Sequence, residues 1–309
     1  MLTRLPFALL GAVLGCGLLA MPAQAQRARV FVASYGNDSN PCSFGSPCRT
    51  FQAAHDAVAA NGEITAIDSA GFGPVKVNKA VTITSPPGIE ASIAAAAGGS
   101  AIAVAAGSND VVTLRGLTLN GGGSGGYGIN FTVGAKLAVI DCVISNYTQY
   151  GILVQASGST QVLVSNTVVT DNGQGIELIT LNGFGLITGS FGGLTVDNNT
   201  NGMALVADAG PIEAVIANSQ FGTNSAIGIY SRNSGGTHNR VFLKNVTFNP
   251  TGQVFYWDGS SELYLSQVVE AGQGDGVNCF NNANFVYSDG TNHLVPINPP
   301  CAQFSWTPN

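Results

Sequence analysis

Apolar and polar residues alternate along this chain in runs of only three to six residues, and Gly, Asn, Asp and Ser separate the runs. Segments 75–77, 81–84, 89–93, 101–104, 111–114 and 117–119 carry this period of two, so each is predicted to be a short strand with one face inward. Further on, a Gly-apolar pair recurs as Gly128-Ile129, Gly151-Ile152, Gly175-Ile176, Gly202-Met203 and Gly228-Ile229, at intervals of 23, 24, 27 and 26 residues. A period near 25 residues in β-rich sequence predicts a solenoid in which each repeat is one coil. The fold class expected is all-β, a right-handed parallel β-helix. Parallel strands otherwise need crossover helices, and no helical pattern supplies them. A β-propeller would need four antiparallel strands in repeats of ~40–50 residues.

The one helical pattern covers 51–59, with Thr50 as N-cap, Phe51, Ala54 and Val58 on one face, and Asn61-Gly62 as the stop. It is expected to cover the open end of the first coil. A second column is read as Gly116, Cys142, Asn166, Gly192, Asn218, Asn245 and Gln267. Two positions earlier stand Leu114, Ile140, Val164, Ser190, Ile216, Leu243 and Leu265, read as an inward stack. Asn166, Asn218 and Asn245 then form part of an amide ladder at a corner, and Cys142 is a buried free thiol. An outward column of Val139, Leu163, Val215, Phe242 and Tyr264 is apolar enough to need a cover, either the tail from 271 to 309 or a second copy in a homo-oligomer.

Residues 1–25 read as a secretory leader: Arg4, an apolar stretch from 5 to 20, then Ala23-Gln24-Ala25. The remaining organisation is an entry segment at 26–62, the β-helix at 63–270 and a tail at 271–309, with no later run long enough to span a bilayer. Eleven Lys/Arg face 17 Asp/Glu, and removing Arg4 with the leader leaves 10 − 17 = −7. An acidic surface with no basic stripe argues against nucleic acid as a partner. Cys42 with Cys48 and Cys279 with Cys301 are the natural local disulfides of a secreted or periplasmic protein. No metal-ligand spacing and no cofactor motif is present, so no metal or cofactor is expected.

The segment Phe31-Val-Ala-Ser-Tyr-Gly36-Asn-Asp38-Ser-Asn40-Pro41, followed by Pro47-Cys48-Arg49-Thr50-Phe51-Gln52-Ala53-Ala54, resembles the entry segment of secreted right-handed β-helix proteins of the pectin-lyase-like superfamily. In that family a G-x-D-x-N-x-G loop precedes a P-F-x-T-I-x-x-A helix start. This chain departs from it at Cys42, where Gly is usual, and Cys48, where Phe is usual, as a disulfide in place of an apolar clamp would require. The resemblance implies a fold and a field of chemistries, from lyases and hydrolases to adhesins. Its enzyme signatures do not carry over. The N-T-D, D-D and G-H-G segments of polygalacturonase-like hydrolases are missing, and Gly71-Phe72-Gly73-Pro74-Val75 lacks the acid of the methylesterase G-x-Y-x-E.

Residue chemistry leaves a short roll of candidates. Glu177 follows Gly175-Ile176 on an outward strand face, with Asn130, Leu153, Ala204 and Tyr230 at equivalent positions and Tyr256 and Trp257 next. Rings beside carboxylates and amides suit a polysaccharide, so Tyr230, Tyr256 and Trp257 are the expected substrate-binding residues. Arg115 and Asp141, read as outward residues 26 apart on successive coils, join Glu177 as catalytic candidates for a lyase or hydrolase. The alternative is a non-enzymatic extracellular interaction or structural protein, which the missing motifs favour.

Overall fold

The computed structural model describes residues 27–181, 185–234, 238–249, 252–271, 275–280, 284–293 and 301–307; the expected leader at 1–25 lies outside them. These residues wind into a parallel β-solenoid. A regular coil contributes three strands, for example Tyr127–Val133, Lys136–Ile140 and Val143–Ser145. We call the column of strands through Lys136–Ile140 face one, that through Val143–Ser145 face two, and that through Tyr127–Val133 face three. Face three is a nine-stranded sheet running from Val75–Val77 to Val277–Phe280.

The Gly-apolar repeat has a steric origin on face three. Ile102, Ile129, Ile152, Ile176, Met203, Ile229, Phe255 and Val277 stand in register and are fully buried, one per coil. The glycine before five of them, Ile129 to Ile229, is held against the next coil. A Cβ on Gly128 would lie 2.5 Å from the Gly151 carbonyl oxygen, one on Gly151 2.7 Å from Gly175, and one on Gly175 2.4 Å from Gly202. Gly202 and Gly228 meet the carbonyls of Gly228 and Val254 at 2.6 and 2.7 Å in the same way. At these five coils no side chain fits while the coils keep the ~4.8 Å spacing of paired strands, whereas Ala101 and Val254 fill the column on either side of them.

Faces one and two meet at a residue in the left-handed backbone region: Gly116, Asp141, Asn166, Gly193, Asn218, Asn245 and Gln267, with φ between 48° and 68°. Register places Ile140 beside Arg115 and Ser165, so the column passes through Asp141 and Gly193 and not, as expected, through Cys142 and Gly192. The inward stack shifts with it and reads Leu114, Val139, Val164, Phe191, Ile216, Leu243, Leu265. Ile140 and Ser190 therefore leave the core, and Val139, expected outside, is fully buried. The reason is conformational: the corner selects Gly, Asn or Asp, which tolerate positive φ, over a cysteine. Amide contacts form at this corner as expected. Asn245 Nδ2 donates to Asn218 Oδ1 at 2.8 Å and Asn166 Nδ2 to Asp141 Oδ1 at 3.3 Å, both exposed. Cys142 is buried and free, and burial pushes its thiol up to about 11.

A deeper ladder lies where face two turns into face three, on residues that sequence reading passed over. Asn172, Asn199 and Asn224 are buried on successive coils. Asn199 Oδ1 accepts from the Asn172 backbone N at 3.0 Å and from Asn172 Nδ2 at 3.1 Å, while Asn199 Nδ2 donates to the Val169 carbonyl at 3.0 Å. Asn224 repeats the arrangement beneath Asn199 at 3.1 Å. Each amide thus satisfies a turn that the strand ladders leave open.

The helix Phe51–Ala57 starts at Thr50, whose side chain accepts from the Ala53 N–H at 3.2 Å. It ends two residues before 59, because Val58 opens the strand Val58–Ala66 that pairs with Arg27–Val32 and Val81–Thr84. Phe51, Ala54 and His55 are its buried residues, and the Phe51 ring packs on Phe72 at 5.1 Å. His55 Nε2 accepts from the Asn78 N–H at 3.4 Å, and burial lowers its pKa. Disulfides join Cys42 to Cys48 and Cys279 to Cys301, the two pairs expected.

Three outcomes are expected. Gly175→Ala should destabilise the chain by ~1–3 kcal/mol, since an added methyl must separate two coils, read as a lower urea midpoint. Asn199→Ala strands buried groups of Asn172 and Val169 and should cost ~1–3 kcal/mol for each group left unpaired. The folded state holds His55 below its ordinary 6.5, so its contribution to stability is complete above pH 6.5 and is lost as pH falls toward the depressed folded value. His55→Gln should flatten that part of the stability profile; an unchanged slope would assign it to other groups.

Candidate functional site

Face three turns two columns of side chains outward. The first stands where each strand begins, one residue before the repeating glycine on five coils, and runs Ser100, Tyr127, Tyr150, Gln174, Asn201, Ile227, Gln253. The second runs Lys76, Ala103, Asn130, Leu153, Glu177, Ala204, Tyr230, Tyr256, Asn278. Glu177, Tyr230 and Tyr256 therefore share the column expected for them. Trp257 does not. It follows Tyr256 on the same strand, so it points inward, between Ser231 and Cys279, and is fully buried with its ring edge-on to Phe255 at 6.2 Å.

Arg115 and Asp141 lie on another side of the solenoid. Arg115 is in register with Thr84 and Ile140 on face one, while Asp141 takes the corner position of Gly116, and the two form no ion pair. They are neither equivalent residues of successive coils nor neighbours of Glu177. The apolar column of face one holds Ala138 in place of Val139, then Leu163, Ser190, Val215, Phe242 and Tyr264. Val215 is 48% exposed, and the tail reaches the far end, where Trp306 meets the Tyr264 ring at 5.5 Å.

The residues gathered around Glu177 come from five successive coils. Gln174 Nε2 donates to Glu177 Oε2 at 3.0 Å. Tyr150 stands on the coil before, its ring stacked on Tyr127 at 5.7 Å and 9°, and Tyr127 Oη donates to Gln149 Oε1 at 2.7 Å. Two coils after Glu177, Arg232 Nη2 reaches both carboxylate oxygens of Asp208 at 3.1 Å. A depression of about 280 Å³ opens beside Gln174, the hydrogen-bond partner of Glu177, and is lined also by Thr148, Gln149, Tyr150, Gly173, Thr200 and Asn201.

Electrostatics and hydrogen bonding set this patch apart from an ordinary solvated strand face. Glu177 is only 9% exposed, and burial raises its pKa; Asp208 adds to the rise, against the Gln174 hydrogen bond and the Arg232 charge. Gln174 Oε1, Asn201 Oδ1 and Asn130 Oδ1 are buried acceptors with no hydrogen-bond partner among the described residues. Buried acceptors are normally paired, so these three oxygens mark a departure from the satisfied interior around them. Among the described residues no group of His, Cys, Asp and Glu could hold a metal ion. Tyr127, Tyr150, Gln174 and Asn201 escaped sequence reading, although their position directly before each repeating glycine was the available signal.

Residues 79–269 match the family model described as right handed beta helix region. No curated protein sequence matches the chain. Among solved structures, the crystal structure of pectate lyase Pel9A is similar over 90% of this chain and 76% of its own, at 14% identity and a TM-score of 0.62. A second, Geobacillus virus E2 ORF18, is similar over 86% of this chain and 63% of its own, at 11% identity and a TM-score of 0.53. Likeness at such identities is a likeness of fold. With coils in parallel register and the family model matching 191 residues of the 309 (79 to 269), the chain belongs to the right-handed β-helix family.

Proposed function

We propose that this is a secreted protein that binds a polysaccharide on face three, at the patch formed by Tyr150, Gln174, Glu177 and Asn201. The depression lined by Tyr150, Gln174 and Asn201 carries the reading, since a ring beside amides matches the apolar face and hydroxyl rim of a pyranose. Its volume is just below the ~300 Å³ at which drug-sized clefts begin, a size for one or two sugar units of a longer chain. The fold shared with a pectate lyase supports a polysaccharide-related role. An uncharged glycan fits better than a polyuronate, because Arg232 is already paired with Asp208 and the chain is acidic overall. The two disulfides and the leader-like first 25 residues support an oxidising, extracellular location.

Glu177 is the residue at which binding would become catalysis. A carboxyl whose pKa burial raises can hold a proton at mildly acidic pH and deliver it to a leaving oxygen. A binding protein without turnover is the second reading, favoured by the separation of Arg115 and Asp141 from Glu177. A polysaccharide binding and degradation screen tests both. Tyr150→Ala should weaken glycan binding by about 2- to 10-fold, the equivalent of ~0.5–1.5 kcal/mol of aromatic contact. Glu177→Gln should keep binding and remove any turnover, and turnover by the parent chain should fall as pH rises above the raised pKa of Glu177. Unaltered binding in both Tyr150→Ala and Gln174→Ala would dismiss the site.

A further inference from the structure

The aromatic column of face one ends on a partly exposed ring, as does the face-three column that closes on Phe280. Phe242, Tyr264, Tyr287 and Phe304 occupy successive rungs, with ring centroids 4.4, 4.5 and 5.4 Å apart and planes inclined by 14°, 8° and 28°. An interior ring of such a stack has a neighbour on each face and turns only its edge outward. Phe304 stands on the strand Ala302–Ser305, which pairs with Asn284–Ser288 and with no further strand among the described residues. One face of its ring lies on Tyr287, the Phe285 ring tilts against it at 5.9 Å, and the residue is 47% exposed, with no further rung stacked on it among the described residues.

Trp306 stands across the same end. Its ring meets that of Tyr264 edge-on at 72°, and it forms one wall of a depression that Phe304 also lines. The wall is held in place by its backbone, whose N–H donates to the Ser288 carbonyl at 2.9 Å. Between them is a depression of about 400 Å³ that also takes in Ser288, Asp289 and Gln303. Asp289 is oriented by the Thr291 N–H at 2.9 Å and hydroxyl at 2.6 Å, while the Gln303 amide makes no hydrogen bond among the described residues.

We propose that this end of the solenoid is a second glycan site, seating one uncharged pyranose unit on the exposed ring of Phe304 and against Trp306, with Asp289 and Gln303 holding its hydroxyls. A pyranose pairs an apolar C–H face with a polar rim, which is the arrangement of rings and polar flank here. The Asp289 carboxylate accepts hydroxyls and repels a uronate. Since no further rung stacks on Phe304 among the described residues, the site takes one unit, in contrast to a groove that follows many coils. The site shares only its ligand class with the patch on face three and uses none of its residues.

The chain contains two tryptophans, and Trp257 is fully buried, so ligand-induced change in tryptophan emission reports on Trp306. The full chain would be titrated with hexamers of glucose, mannose, xylose and galactose, and with a hexamer of galacturonic acid. A saturable change is expected with a neutral hexamer, at least ~10-fold weaker with galacturonate. Phe304→Ala should weaken that binding by at least ~5-fold, and Tyr150→Ala should leave it unchanged. Gln303→Ala, which removes no packed ring, gives the same reading should Phe304→Ala lose its fold. The proposal is overturned if no neutral hexamer alters the emission, or if Phe304→Ala and Gln303→Ala both bind as the parent does. It also fails if light scattering finds a dimeric parent and a monomeric Phe304→Ala, which would make this end a contact between copies. Loss in Tyr150→Ala alone would retain the site on face three and remove this one.

Discussion

The whole solenoid depends on how closely the backbone of one coil can approach the next. At the column Gly128, Gly151, Gly175, Gly202 and Gly228 the carbonyl of the neighbouring coil occupies the space where a side chain would begin. Keeping that column empty lets the strands of face three pair in register, and register in turn sends Ile129, Ile152, Ile176 and their successors inward. Alternation then sets Glu177, Tyr230 and Tyr256 outward, and Tyr127, Tyr150, Gln174 and Asn201 form a second column where the strands enter face three. The candidate site is thus a by-product of a steric rule obeyed on five successive coils.

What the sequence makes legible follows from what each constraint does to residue choice. Backbone contact admits only glycine, so the period shows directly, and with it the fold. A left-handed corner is less exclusive, since Gly, Asn, Asp and even Gln267 fill it. Counting by likeness therefore slipped by one residue at Cys142 and Gly192 and carried Val139 to the wrong side. Trp257 was misplaced by grouping adjacent residues, which a strand forces to opposite faces. The ladder Asn172, Asn199, Asn224 looked like ordinary loop punctuation, because nothing in a sequence distinguishes a buried amide from a solvated one.

The site itself was half legible. Glu177 could be found because a lone carboxylate stands out in a column of apolar and aromatic neighbours. Its surroundings could not, since the burial that raises its pKa and the empty acceptors of Gln174 and Asn201 come from several coils together. Arg115 and Asp141 looked coupled on spacing alone, and a register differing by one residue separates them. Pairwise inferences across coils are only as good as the register, whereas inferences within one strand survive such an error.

The two disulfides sit at opposite extremes of the rod. Cys42–Cys48 fastens the loop whose backbone bonds to Phe31 beside the first coil, and Cys279–Cys301 ties the last strand of face three to the strand that closes face one. A stack in which each coil touches only its neighbours loses structure most easily by fraying from its ends, where a coil has one neighbour in place of two. Stapling both ends moves the weakest links inward, to coils held on two sides. That converts a ladder that could be unpicked by proteases from either tip into one that must first be broken in its middle.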